Sequence, residues 1–161
     1  MRKKALVAVF LATIAVWPTC RAEAQDDWVT AQHHNGRLTA YHLMRLAQDG
    51  DLRAQARLCF LYQAGLGVVQ SFAMAATYCR SAAERGEANA QYLLGLMYDK
   101  GQGVGRDVVL AYMWLDLAAA GGSPSVRAAY ARIRDAVATK MTPAQLQYGQ
   151  ALALAHALGQ R

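Results

Sequence analysis

The sequence lacks the short motifs that mark common catalytic and metal sites. It has no Cys-x-x-Cys pair, no zinc motif, no nucleophile elbow and no Ser-x-x-Lys. The acidic residues are scattered, so no pair stands out for general acid–base chemistry. Two Gly-x-Gly turns, at 65–67 and 101–103, each follow a predicted helix rather than a strand, which argues against a phosphate-binding loop. We therefore expect no catalytic residue, no cofactor and no bound metal.

Apolar runs long enough to cross a bilayer are also missing. The run from Ala5 to Val16 has about a dozen residues, and roughly 18 to 20 are needed to span. Basic residues at 2–4 precede it and Ala22-Glu23-Ala24 follows it, which is the pattern of a secretory signal peptide. We predict a signal peptide over 1–24, cleavage after Ala24 and a periplasmic or secreted protein without stable membrane insertion. A retained anchor and a lipid on Cys20 are the alternatives.

Charge of one sign is in only mild excess. The chain carries 17 basic and 11 acidic residues, and 1–24 hold four of the former and one of the latter. The remaining net charge of +3 is too small to indicate nucleic-acid binding.

Cysteine is scarce, with three in the chain. Cleavage after Ala24 would remove Cys20 and leave Cys59 and Cys79 in a compartment that can oxidise thiols. They lie six residues before Gly65 and eight after Ser71, so a helical hairpin would place them face to face. A disulfide is possible at this separation, and two reduced core cysteines are the alternative.

A repeat of 36 residues dominates what the sequence does contain. Eleven of the 33 residues in 54–86 recur unchanged 36 positions later. The pairs are Ala54/Ala90, Gln55/Gln91, Leu58/Leu94, Tyr62/Tyr98, Gly65/Gly101, Gly67/Gly103, Val68/Val104, Ala75/Ala111, Ala82/Ala118, Ala83/Ala119 and Gly86/Gly122, and Tyr78 is answered by Trp114. A period of this length indicates stacked helix pairs.

Each unit has the pattern of two antiparallel helices. Apolar residues at a 3.6-residue period predict helices near 52–64, 72–85, 88–100 and 108–120, with Ser71 and Asp107 as N-caps. The flanks extend the pattern less regularly. We predict a lead-in over 25–37, a half repeat over 38–51, repeats over 52–87 and 88–123, and capping helices over 124–159. The expected core of the repeats consists of Leu58, Tyr62, Ala75, Leu94, Tyr98, Ala111, Trp114 and Ala118.

The string from Ala90 to Val104, followed by Asp107, Ala111, Trp114, Ala118, Ala119 and Gly122, resembles the Sel-one-like repeat, a relative of the tetratricopeptide repeat. The resemblance implies an all-α solenoid of antiparallel helix pairs that binds another protein or peptide as an adaptor or regulator. The resemblance implies no catalytic residues in this chain. Some cysteine-rich members are labelled as β-lactamases, so a hydrolase of that type is one alternative function, and a structural component of the cell envelope is another.

One face of the first helix in each unit carries residues that do not belong to the recurring repeat signature. Phe60 in the first unit and Tyr92 and Leu96 in the second lie opposite the repeat signature, with Arg57 and Lys100 at its edge. These five residues are our candidate partner-binding surface, in the concave groove of the solenoid. The alternative is that the apolar members pack against the neighbouring repeat.

Overall fold

The computed structural model describes residues 36–159, with only the backbone of 36–38, and this part of the chain consists of seven helices without a strand. The helices are α1 (Gly36–Gln48), α2 (Leu52–Ala64), α3 (Phe72–Ala83), α4 (Ala88–Lys100), α5 (Val108–Gly121), α6 (Pro124–Ala138) and α7 (Pro143–Gly159). The predicted all-α solenoid is confirmed. The proposed signal peptide and nearly all of the lead-in lie outside the described residues. Helix α1 begins two residues before the predicted half repeat.

Side-chain caps start the four helices of the two repeats. Asp51 and Glu87 accept hydrogen bonds from the backbone N–H groups of Ala54 and Ala90 in α2 and α4. Ser71 and Asp107 do the same for α3 and α5, as the sequence predicted. Each cap satisfies a backbone donor that the first helical turn leaves unpaired. The helix boundaries therefore follow from local chemistry that recurs every 36 residues.

The repeat signature forms the interior of the solenoid. Of the eight expected core residues, Leu58, Ala75, Leu94, Ala111, Trp114 and Ala118 are buried. Tyr62 and Tyr98 are half-buried at the edge of the largest apolar cluster. Tyr62 stacks on Tyr78 with ring centroids 5.7 Å apart. The alanines allow adjacent helix backbones to approach closely, and the larger residues fill the space between them.

Two buried glutamines join successive helix pairs. The side-chain amides of Gln55 and Gln91 donate to the backbone carbonyls of Ala47 and Ala83, each at 3.1 Å. The acceptors lie at the ends of α1 and α3, where carbonyl groups lack helical partners. The repeat match between these glutamines was visible in the sequence, but their bonding was not predicted. Burial with satisfied hydrogen bonds explains why a polar residue occupies this core position.

Helices α6 and α7 do not form a third regular hairpin. Helix α7 packs chiefly on α5, the second helix of the preceding repeat, whereas α3 and α5 pack on α2 and α4. Gly149 of α7 faces Tyr112 of α5, and a Cβ added there would lie 3.0 Å from the tyrosine ring. His156, also on α7, contacts Trp114 edge to face at 5.0 Å between ring centroids. Helices α6 and α7 occupy the segment 124–159, and α7 crosses onto the second repeat.

Candidate interaction surface

Helices α2 and α4, the first helices of the two repeats, lie side by side in the solenoid. Each ends at a glycine in the left-handed conformation, Gly65 and Gly101, both at φ +70°. Because the two helices are in the same 36-residue register, Phe60 and Leu96 occupy equivalent positions. Phe60 and Leu96 therefore have the same place on two neighbouring helices, and we call this pair of positions the strip.

The candidate residues differ in how accessible they are. Lys100 is exposed at the end of α4, and Leu96 is half-buried one turn earlier. Arg57 and Phe60 are half-buried and both interact with other residues of the chain. Phe60 packs against the apolar cluster that α1 and α2 form. The most accessible part of the candidate surface is therefore the Leu96 and Lys100 end.

Tyr92 is not an open surface anchor. Its ring stacks on that of Tyr130 in α6, with centroids 4.3 Å apart and an interplanar angle of 15°. The alternative stated from the sequence was packing against the neighbouring repeat, whereas Tyr92 packs on the capping helix α6. The reason is that Tyr130 of α6 covers this turn of α4. Asp99 is also engaged, because Lys140 forms an ion pair with it at 2.7 Å.

Tyr130, which is itself buried, begins a chain of hydrogen bonds that runs out to exposed Asn89 and joins α6 to the start of α4. Its hydroxyl donates to Asn89 Oδ1 at 2.6 Å, and Asn89 donates in turn to the N-cap residue Glu87 at 2.9 Å. Burial, the nearby charge of Glu87 and the neighbouring Tyr92 raise the pKa of Tyr130 to about 12. The neutral hydroxyl is the form that the folded protein holds.

This tyrosine should make stability depend on alkaline pH. The folded-state pKa of about 12 lies above the ordinary value of about 10. The contribution of Tyr130 is therefore fully present below about pH 10 and is lost as the pH rises through about 12. Urea unfolding between pH 8 and pH 11.5 should show a steeper loss of stability for the parent than for Tyr130→Phe, which keeps the ring but cannot ionise. Parallel profiles for the two proteins would contradict this assignment.

The structure joins Cys59 and Cys79 by a disulfide, which ties α2 to α3 inside the first repeat. Both cysteines are completely buried. In the second repeat the same register holds Gly95 and Leu115, and a Cβ added to Gly95 would lie 2.7 Å from Leu115 Cγ. The second repeat therefore has a close contact between Gly95 and Leu115 where the first repeat has the covalent bond between Cys59 and Cys79.

The described residues contain no group of three or more His, Cys, Asp or Glu side chains suited to a metal ion. None of the helices described here combines the length and the apolar character needed to cross a membrane. His156, the histidine of α7, is half-buried against Trp114.

The Sel1 repeat family model matches residues 52–87 and 88–123, which are the two predicted repeats with identical boundaries. The chain is a Sel1-like repeat protein. No curated protein is significantly similar to it in sequence.

Two solved structures resemble this Sel1-like repeat protein. One is a protective antigen of uropathogenic Escherichia coli strains with an SLR fold, 30% identical, with a TM-score of 0.68 over 76% of this chain and 26% of the other. The second is a Sel1 repeat protein from Oxalobacter formigenes, 38% identical, with a TM-score of 0.50 over 52% of this chain and 63% of the other. This chain thus spans about a quarter of the first and less than two thirds of the second.

Sel1 repeats generally mediate contacts between proteins, and the SLR fold is typically a non-catalytic scaffold. The candidate surface fits that role in part. Phe60 and Leu96 stay candidate binding residues, whereas the covering of Tyr92 by Tyr130 was not predicted from the sequence. The signal for this contact was the aromatic residue at position 130, which the repeat register alone does not connect to α4.

Proposed function

We propose that this Sel1-like repeat protein is an exported, non-catalytic adaptor that binds another protein or peptide along its first helices. The observation that carries the proposal is the side-by-side placement of α2 and α4, which puts Phe60 and Leu96 in register on one strip. An apolar strip with a basic residue at its end suits a partner segment that combines apolar side chains with a carboxylate. Lys100 is the exposed basic group.

Export is part of the proposal and is supported by the sequence of residues 1–24. The Cys59–Cys79 disulfide is consistent with this destination, because such bonds persist in oxidising compartments. Protein recovered from the exported fraction of the source organism should have the mass of a chain that starts at Gln25. A full-length chain retained in the membrane fraction would contradict cleavage and leave the binding proposal to be judged separately.

The binding surface is tested with a double variant, Leu96→Gln with Lys100→Gln. Loss of both side chains should weaken partner capture at least about tenfold, because single anchor residues often contribute about 2 kcal/mol or more. The thermal midpoint should change little, since neither side chain is fully buried. Capture of partner proteins from the exported fraction, quantified by mass spectrometry, measures the effect.

The matched control is Val69→Gln, which removes an aliphatic side chain that is 87% exposed in the turn between α2 and α3. This variant should capture the same proteins as the parent. Equal capture by the double variant and the parent would exclude the Leu96 and Lys100 end of the surface as the binding site. Equal losses in both variants would mean that the partner contacts the turns instead.

A further inference from the structure

The outer face of α7 is apolar and has no partner in the described part of the chain. Tyr148, Leu154 and Leu158 are 60%, 62% and 57% exposed. The opposite face of the same helix carries Gly149 and Ala153, which are buried. Half of the six large exposed hydrophobic residues in the described structure therefore lie on one side of a single helix. Scattered exposed leucines are common, but a grouped set indicates a contact surface.

The exposed set follows the helical period. Residues that share this side of α7 are Ala144, Gln147, Tyr148, Ala151, Leu154, Ala155 and Leu158, all of them exposed. Their spacing of three and four residues places them on one stripe. We call these seven residues the α7 stripe. It is separate from the candidate partner surface, which lies on α2 and α4.

Charge favours a second copy of this chain as the occupant of the stripe. Residues 141–160 contain no Asp, Glu, Lys or Arg, whereas residues 25–161 as a whole have a net charge of +3. Two copies that meet through other, basic parts of the surface repel each other. Two copies that meet through the α7 stripe bring no like charges together. Self-association through the stripe therefore meets no like-charge repulsion at the contact itself.

The residue pattern of the stripe is compatible with two-fold symmetry. In an antiparallel pair centred on Ala151, Tyr148 faces Leu154 of the second copy and Ala144 faces Leu158. Ala151 then faces its own equivalent. Small residues at the centre allow the helices to approach closely, and the large residues at either side fill the space around them. A symmetric dimer requires such a self-complementary patch.

We propose that the α7 stripe is the interface of a symmetric homodimer in which two copies of α7 pack antiparallel about Ala151. A single helix pair buries less than the roughly 1,200 Å² typical of stable complexes. The dimer is therefore weak and forms at high protein concentration. It does not depend on the adaptor function proposed above.

Sedimentation equilibrium of purified protein from about 10 μM to 1 mM tests the proposal, a range chosen because interfaces of this size are weak. The average mass of the parent should rise toward twice the monomer mass. Ala151→Glu and Ala151→Lys should each remain monomeric, because each places two like charges at the symmetry axis. An equal mixture of the two variants should associate again. Gln150→Glu, which adds a charge to an exposed position outside the stripe, should behave as the parent.

Circular dichroism must show parent-like helicity for every variant, as expected for exposed positions. A parent that remains monomeric at about 1 mM overturns the proposal, since even weak interfaces should be populated there. Association of the single Ala151 variants to the level of the parent also overturns it. If those variants are monomeric and their mixture does not associate, the two-fold register about Ala151 is wrong.

Discussion

Gly103→Ala is expected to destabilise this protein by roughly 2–5 kcal/mol, through backbone strain of about 1–2 kcal/mol and overpacking of about 1–3 kcal/mol. Gly103 has φ +71°, a conformation that alanine adopts only with strain. A Cβ at this position would also lie 2.1 Å from the carbonyl oxygen of Phe72. Because that atom belongs to the backbone, it cannot move aside as a flexible side chain can.

The turn at Gly103 belongs to the second repeat, whereas Phe72 begins α3 in the first. The substitution should therefore separate two repeats that stabilise each other, and unfolding should remain cooperative at a lower temperature. A loss of this size corresponds to a drop in thermal midpoint of roughly 5–20 °C. Differential scanning calorimetry gives both the midpoint and the cooperativity.

Gly105→Ala is the matched control for this prediction. It lies two residues later in the same turn, and a Cβ added there would have no heavy atom within 4 Å. Its midpoint should stay within about 2 °C of the parent, since surface changes usually alter stability by about 0.5 kcal/mol or less. Equal effects of the two substitutions would show that the close approach to Phe72 does not limit stability.

Reduction of the Cys59–Cys79 disulfide is expected to lower stability by about 3 kcal/mol, because it releases a loop closed over 20 residues. The effect comes mainly from the larger conformational entropy of the reduced unfolded chain. Unfolding in guanidinium, with and without reductant, measures it. Alkylation of the unfolded, unreduced protein should first find no free thiol at either cysteine. Full labelling at that stage would mean that the bond is absent from the purified protein.

The second repeat supplies a control for the disulfide. Cys59→Gly combined with Cys79→Leu copies the Gly95 and Leu115 pair into the first repeat. This double variant should fold with parent-like helicity, and reductant should not change its stability. A variant that fails to fold would mean that the α2 and α3 pair cannot form the contact that α4 and α5 form, and that the bond sets the local packing.

The two-repeat core was predictable from the sequence because its determinants are local. Helices α2 and α4 begin and end at the residues that the apolar period predicted, 52–64 and 88–100. The N-caps Ser71 and Asp107 were also predicted, since a side chain that caps a helix lies within three residues of the group it binds. The 36-residue match then fixed the boundaries of both repeats.

The candidate surface was predictable only in part. The 36-residue register gives Phe60 and Leu96 equivalent positions on two helices, but it cannot tell which element covers a given turn of those helices. The ring of Tyr92 is covered by that of Tyr130, which lies 38 positions away along the chain. Tyr130 belongs to α6, the helix in which the repeat pattern has degenerated. A degenerate register carries no signal for the angle at which α6 meets α4.

What the sequence by itself determined, then, is the set of helices, their caps, the two repeats and the pair of cysteines that a hairpin can join. The tertiary structure alone decided that the cysteines are bonded, that Gln55 and Gln91 bind carbonyl groups of preceding helices, and that α7 crosses onto α5. The physical reason is distance along the chain. Helix formation depends on neighbours within about four residues, whereas these contacts depend on how whole helices pack.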